Sequence, residues 1–167
     1  DYALWRLTDK NNVKSQYWID EYKRFIATKQ GWIEDVKGAY FRIINCYKIL
    51  NKTENILDIV FEAFKIDVPM AEIVCSLAEY FFEKNNFNQA AFWYKTALNC
   101  IPNKDNPSLS NIAYYSWIPS LQLCVCYYNL NNIDMALNFN NLAKKYKPTN
   151  KIVLSNENFL NNIINKN

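Results

Sequence analysis

One pattern of large, small and aromatic residues recurs along this chain, and few folds can accommodate it. The clearest copy runs from Ala71 to about Pro102 and reads Val74, Leu77, Ala78, Phe81, then Ala90, Tyr94, Ala97 and Pro102. At 3.6 residues per turn, each half of the copy falls on one face of a helix. The stretch therefore predicts two helices folded back on each other. Small residues at Ala78 and Ala97 let the two axes approach, while Phe81 and Tyr94 fill the space around them. Further along, Leu123, Cys124, Tyr127, Ala136, Ala143 and Pro148 occupy the same pattern.

The spacing resembles the tetratricopeptide repeat, whose period is roughly 34 residues. Pro102 and Pro148 lie 46 positions apart, an excess of 12 that falls in Asn103 to Tyr114, where Asp105, Asn106, Pro107 and Ser108 carry loop signals. A backward shift from Ala78 and Ala97 lands on Ile44 and Ala63. Tyr40, Ile43 and Tyr47 complete that copy's first helix, while Ile56 and Val60 replace the expected alanine and aromatic. Earlier still the pattern decays. Trp5 and Leu7 suggest one short helix, and Tyr17, Ile19, Tyr22, Phe25 and Ile26 a second. At the other end Ile152, Val153, Asn156, Phe159, Leu160 and Ile163 keep helical spacing among Asn and Lys, which suits a cap with one face in water.

The expected architecture is thus all-α. It is a tetratricopeptide-like right-handed superhelix of antiparallel helix pairs, about four pairs plus a C-terminal capping helix, in a single domain over 1–167. The divisions are a degenerate first pair at 1–30, a second pair at 32–69, a third at 70–102, an insertion loop at 103–114, a fourth pair at 115–148 and the cap at 149–167.

Composition agrees and removes several classes of function. Half of the 167 residues are hydrophobic and 16% are aromatic, so a buried core is affordable and disorder is not. Only Gly31 and Gly38 are glycines, too few for Rossmann turns or phosphate-cradling loops. Histidine is absent, which removes the usual base of nucleophilic triads and the mixed zinc sites. Carboxylates such as Glu34 and Asp35 suit a helix N-terminus better than acid–base work. The five cysteines, Cys46, Cys75, Cys100, Cys124 and Cys126, form no C-x-x-C pair. Cys124 and Cys126 point in different directions on a helix, so buried small hydrophobes in a reducing compartment are expected.

Net charge is a mild +3, and the cluster Lys144, Lys145 and Lys147 reads as a solvated helix end rather than a nucleic-acid face. No apolar run reaches the ~18–20 residues that span a bilayer. Asn51-Lys52-Thr53 is formally a glycosylation sequon, but Thr53 before Glu54 reads more simply as a helix N-cap.

The expected function is binding, with no cofactor or metal. First-helix positions not used in pairing should face a groove: Phe41, Asn45 and Lys48 in the second pair, Glu72, Glu79 and Phe82 in the third, and Leu121, Val125 and Tyr128 in the fourth. Mixed aromatics and charges there suit an extended peptide or another protein domain. A solvated face with sheltered aromatics is the alternative. Trp93 and Tyr94 side by side suggest sugar stacking, though Tyr94 holds a packing position and structural use suits both.

Beyond the repeat, three segments resemble the C-terminal repeat domain of bacterial family-2 glycosyltransferases. They are Ala71-Glu72-Ile73-Val74-Cys75, the run from Ala91 to Leu98 (A-F-W-Y-K-T-A-L), and the run from Trp117 to Tyr127 (W-I-P-S-L-Q-L-C-V-C-Y). Asn140 after Ala136, then Val153, Leu154 and Asn156 ahead of Phe159, continue the likeness, which covers roughly residues 15–160 and is strongest after Ala71. The resemblance implies a cytoplasmic, nucleotide-sugar-dependent transferase whose catalytic part lies outside these residues. No Asp-x-Asp is present, so no catalytic residue transfers. The chain, which opens on Asp1 without Met, would be a fragment. It would recognise an acceptor, its own catalytic domain or a second subunit. The other reading is a free-standing tetratricopeptide adaptor for partner peptides.

Overall fold

A computed structural model describes residues 2–103 and 110–165, with side chains from residue 12 onward. Among the described residues the secondary structure is α-helix and short 3-10 turns, without strands. None of these helices is long and apolar enough to cross a membrane. The chain forms two compact units, residues 1–69 and 70–167.

The first unit contains α1 (Tyr2–Thr28), α2 (Ile33–Ile49) and α3 (Ile56–Phe64). The expected short pair within 1–30 is instead one 27-residue helix. No glycine or proline interrupts residues 2–28, and the helix carries Asn11-Asn12 within it without a turn. Side chains of Trp5 and Leu7 lie outside the described residues. α1 packs on α2, where Lys23 Nζ donates to the Tyr47 hydroxyl at 3.1 Å. α2 carries Glu34 and Asp35 in its first turn, where the helix field favours negative charge. Thr53 does not cap α3; it opens a 3-10 turn, Thr53–Asn55, with no side-chain capping bond. The core is Ile43, Ile44, Tyr47, Ile56, Val60 and Ala63, all buried.

The second unit contains α4 (Ala71–Glu83), α5 (Phe87–Asn99), a 3-10 turn (Ile112–Tyr115), α6 (Trp117–Asn129), α7 (Ile133–Tyr146) and α8 (Lys151–Ile164). α4 folds back onto α5, α6 onto α7, and α8 packs on α7. The pattern residues Leu77, Ala78, Ala90, Tyr94 and Ala97 are buried, as are Leu123, Cys124, Ala136 and Ala143. Asn140 stands where Tyr94 stands one copy earlier and is fully buried. Its Nδ2 donates to the Val153 carbonyl of α8 at 2.9 Å, so the last pair exchanges an aromatic filler for a polar latch on the cap. Lys144, in the charge cluster expected to be solvated, is ion-paired to Glu157 of α8 at 2.7 Å.

One turn recurs in both units. α2, α4 and α6 each end with an asparagine in the left-handed region: Asn51 at φ 55, Asn85 at φ 57 and Asn131 at φ 56. In each, the asparagine N–H bonds back to the third residue before it, and the next N–H to the fifth before that one (Lys52 to Tyr47, Asn86 to Phe81, Asn132 to Tyr127, each 2.9 Å). This is the Schellman closure, usually made by glycine. The second asparagine of each Asn-Asn pair then caps the following helix: Asn86 Oδ1 accepts from Gln89 N at 3.3 Å and Asn132 Oδ1 from Met135 N at 3.0 Å. The left-handed asparagines are 34 and 46 positions apart, the same register as the packing pattern. The chain's two glycines are not at positive φ; asparagine turns α2, α4 and α6, and Lys29 at φ 56 follows α1.

Asn85 is exposed. Asn85→Ala is expected to lower stability by about 1 kcal/mol, because a Cβ without a compensating polar side chain is strained at positive φ. Asn85→Gly should be neutral or stabilising. Urea unfolding of the two variants checks both.

Candidate functional site

A cleft of about 370 Å³ opens in the second unit, lined by Cys75, Glu79, Phe82 and Glu83 of α4, Tyr94 of α5, Tyr114 of the 3-10 turn, and Ile118 and Gln122 of α6. Its size falls within the roughly 300–1,000 Å³ of ordinary ligand clefts. The α4 residues sit at i, i+4, i+7 and i+8, one flank of a helix. Ile118 and Gln122, at i and i+4, form one flank of α6. Tyr94 lies between them because α5 packs on both α4 and α6.

The closing wall comes from the insertion. Residues 104–109, which carry its strongest loop signals, lie outside the described residues, but its C-terminal part is ordered against α4. Asn111 N donates to Glu72 Oε1 at 2.7 Å, and Asn111 Oδ1 accepts from Ala113 N at 3.1 Å. Cys75 Sγ lies 3.7 Å from the Tyr114 carbonyl. These contacts place the Tyr114 ring at the cleft. Pro119 sits in the first turn of α6, where a missing N–H interrupts no helical bond.

The nine positions expected to line a groove therefore divide. Glu79 and Phe82 line the cleft. Glu72, from the same helix, is only 2% exposed and serves as the anchor for the insertion. Leu121 is buried against Ala143 and Val153, with Trp117 beside it. Tyr128, 40% exposed, meets Phe159 of α8 edge-on at 5.4 Å, and Val125 is half-buried on the same side of α6. Phe41, Asn45 and Lys48 are half-buried on α2 in the first unit and do not line this cleft.

That Leu121, Val125 and Tyr128 lie away from this cleft has a geometric cause. A first helix in a stack has two flanks, one towards the element before it and one towards the element after. The residues 121, 125 and 128 lie on the flank towards α8. Ile118 and Gln122, on the other flank, are the ones that meet the cleft. Equivalent positions on α4 and α6 therefore meet different neighbours, and a loop signal such as that around Tyr114 says nothing about where a loop lands.

Electrostatics follow from burial. Tyr94 is buried at the cleft floor, and burial, then the nearby Glu79 carboxylate, push its hydroxyl well above the ordinary tyrosine range. Tyr114 is raised in the same way, by burial first and then Cys75 and Glu79. Tyr115, behind the wall, is pushed up to about 12 by burial and by Glu72. All three stay protonated and neutral at physiological pH. Trp93, half-buried, packs edge-on against Phe92 at 5.0 Å and is not among the cleft residues.

The five cysteines are free thiols, with Cys75, Cys124 and Cys126 buried. Cys124 and Cys126 diverge as their spacing requires. Cys124 faces Ala136 and Leu160, and Asn156 Nδ2 approaches its sulfur at 3.8 Å. Cys126 lies near enough to Tyr94 to affect its titration. Among the described residues no group of His, Cys, Asp or Glu is arranged to hold a metal.

Comparison with protein-family models, with curated proteins and with solved structures finds no match to this chain.

The thiols give a test of this packing. Burial, followed by the charge of Cys124, pushes Cys126 up to about 12, from an unfolded value of 9.0. The folded state therefore holds this proton more tightly than the unfolded state. The resulting stability is fully present below pH 9 and is lost as pH rises from there towards about 12. Iodoacetamide at neutral pH should leave Cys75, Cys124 and Cys126 unmodified while the half-buried Cys46 and Cys100 react faster. Mass mapping that finds Cys126 modified as fast as Cys46 contradicts the packing.

Proposed function

We propose that the chain is a tetratricopeptide-like binding module, whose helix pairs stack in the right-handed sense of that repeat, and that the cleft between α4 and α6 receives an extended segment of a protein partner. The observation that carries the reading is the cleft itself: two first helices of successive pairs, held on a shared second helix, present aromatic and polar side chains to one concavity. A concave surface lined by first helices is how such stacks expose a binding face. The recurring turn at Asn51, Asn85 and Asn131 supports the repeat independently of the packing pattern.

The chemistry of the cleft favours binding over catalysis. The chain has no histidine to work with the cleft's carboxylates, and the cleft's tyrosines are held neutral. Phe82 and Ile118 offer apolar contact, and Gln122 a two-way hydrogen-bonding group at the rim.

The likeness of 71–75, 91–98 and 117–127 to the repeat domain of bacterial glycosyltransferases supports a more specific setting. In it, this module accompanies a nucleotide-sugar-dependent catalytic domain in the cytoplasm and positions an acceptor protein or a second subunit. Five free thiols suit a reducing compartment. A gene whose reading frame holds no transferase domain next to residues 1–167 overturns this setting without touching the peptide-binding reading.

Selection of a random linear peptide library against the 167-residue chain, followed by amide-shift mapping with a selected peptide, tests the module directly. Binding is expected at micromolar Kd, with the largest shifts at Glu79, Phe82, Ile118 and Gln122. Phe82→Ala should weaken binding about tenfold, the scale of a lost aromatic anchor. Shifts confined to other surfaces overturn the assignment of the cleft.

A further inference from the structure

The 3-10 turn at Ile112–Tyr115 lies on α4 yet is built as a piece of its own. Tyr114 N donates to the Asn111 carbonyl at 2.9 Å, Ala113 N to Asn111 Oδ1 at 3.1 Å, and Ser116 Oγ to the Ile112 carbonyl at 2.6 Å. Asn103 N donates to Ser110 Oγ at 3.1 Å, which draws the two ends of the connection together. No residue of the turn is fully buried, and Ile112 is 54% exposed. Segments with little buried apolar surface open at low cost, and a segment bonded within itself opens as one unit.

The helix beneath is the opposite case. Every residue from Ala71 to Ala78 is buried, so α4 has packing of its own to hold it in place. Glu72, its second residue, is the link between the two. Oε1 accepts from Asn111 N at 2.7 Å, the short length of a charge-assisted bond, and the Tyr115 hydroxyl also bonds to this carboxylate. Oε2 is buried too, with no hydrogen-bond partner among the described residues. Departure of the turn would therefore lose one strong bond and let water reach an acceptor that goes unmet while the turn is in place, and the two effects oppose each other. Cys75, one turn further along α4 and 3% exposed, points its thiol at the Tyr114 carbonyl at 3.7 Å. The turn covers it.

We infer that Asn111–Tyr115 is a strap, fastened by Glu72, that lifts from α4 as a unit while the helix pairs stay folded. Lifting removes the Tyr114 wall of the cleft and bares the Cys75 thiol. Glu72 acts as a positioning residue, setting how often the strap is open. The inference stands whether or not a peptide enters the cleft.

Iodoacetamide modification of the intact 167-residue chain, mapped by mass, reads the open strap at Cys75 and the helix pairs at Cys124 and Cys126. Asn111→Pro removes the N–H that Glu72 holds and leaves α4 unaltered; Asn111 sits at φ −83, close to the value that proline imposes. Cys75 should then react about tenfold faster than in the parent chain, the scale of a lost charge-assisted hydrogen bond, with Cys124 and Cys126 at their parent rates. Glu72→Gln, which keeps an acceptor and removes the charge, should give a smaller rise. In the Asn111→Pro chain, amide exchange should speed up across 112–115 and stay unchanged across 74–78. A Cys75 as slow in that variant as in the parent overturns the strap. So does acceleration of Cys124 and Cys126 along with Cys75, because the turn then does not leave without the helix pairs.

Discussion

A helix that must reverse direction within three residues needs one residue at positive φ, and this chain meets that need almost without glycine. Asn51, Asn85 and Asn131 each accept the left-handed conformation, and the N–H groups of the asparagine and its successor return to the carbonyls of the helix just ended. The choice of asparagine over glycine has a second benefit at two of the three turns. The next residue is also asparagine, and its side chain caps the helix that follows, so one dipeptide both stops a helix and starts another. The rest depends on this geometry. With the turn fixed, Ala78 and Ala97 are both fully buried, and the flanks of α4 and α6 are aimed.

The cleft arises where that regularity is interrupted. The left-handed asparagines after α4 and α6 stand 46 positions apart, 12 more than those after α2 and α4, and Asn111 and Tyr114 in the longer connection lie on α4. A buried carboxylate near the start of α4 holds it there, in the place where a helix N-terminus best tolerates negative charge. The insertion thus adds Tyr114 to a surface that the repeat alone would leave lined by α4, α5 and α6. The far end of the unit is finished differently. Asn140 and Lys144 reach α8 by a hydrogen bond and an ion pair, where the preceding copy uses the ring of Tyr94 at the position of Asn140. A capping helix is therefore fastened by polar contacts specific to it, on top of the apolar seam around Leu121, Ala143 and Val153.

Much of the helical layout was legible because it is local. Spacing of large and small residues places α4, α5, α6 and α7 within a few residues of their observed bounds, and it identifies Leu77, Ala78, Ala90, Tyr94, Ala97, Leu123, Ala136 and Ala143 as buried. Glu72, Ile73, Ser76, Ser120 and Leu121 are buried without belonging to the pattern. The asparagine turns stand in the sequence as Asn-Asn at 85–86 and 131–132, but the spacing of large and small residues does not single them out. Residues 2–28 misled in the opposite sense. Two clusters of apolar residues suggested two helices, and Asn11-Asn12 stands between them, yet the helix runs through that dipeptide and a single helix is the result. Of the site, Glu79 and Phe82 were legible from the face they share on α4. Ile118, Gln122 and Tyr114 were not, because each reaches the cleft through a contact distant in sequence.

By itself, then, the sequence determined that the chain is helical, where most of its helices run, about half of the residues they bury and that the register shifts once. Those properties follow from 3.6-residue periodicity, from side-chain size and from the few residues that accept positive φ, all of which act within a turn or two of chain. Only the tertiary structure decided what the exposed flanks mean. Glu72 became an anchor and Glu79 a cleft residue although they sit two turns apart on one helix, and Leu121 became core. The difference lies in which neighbour each flank meets, and a helix carries no local record of its neighbours.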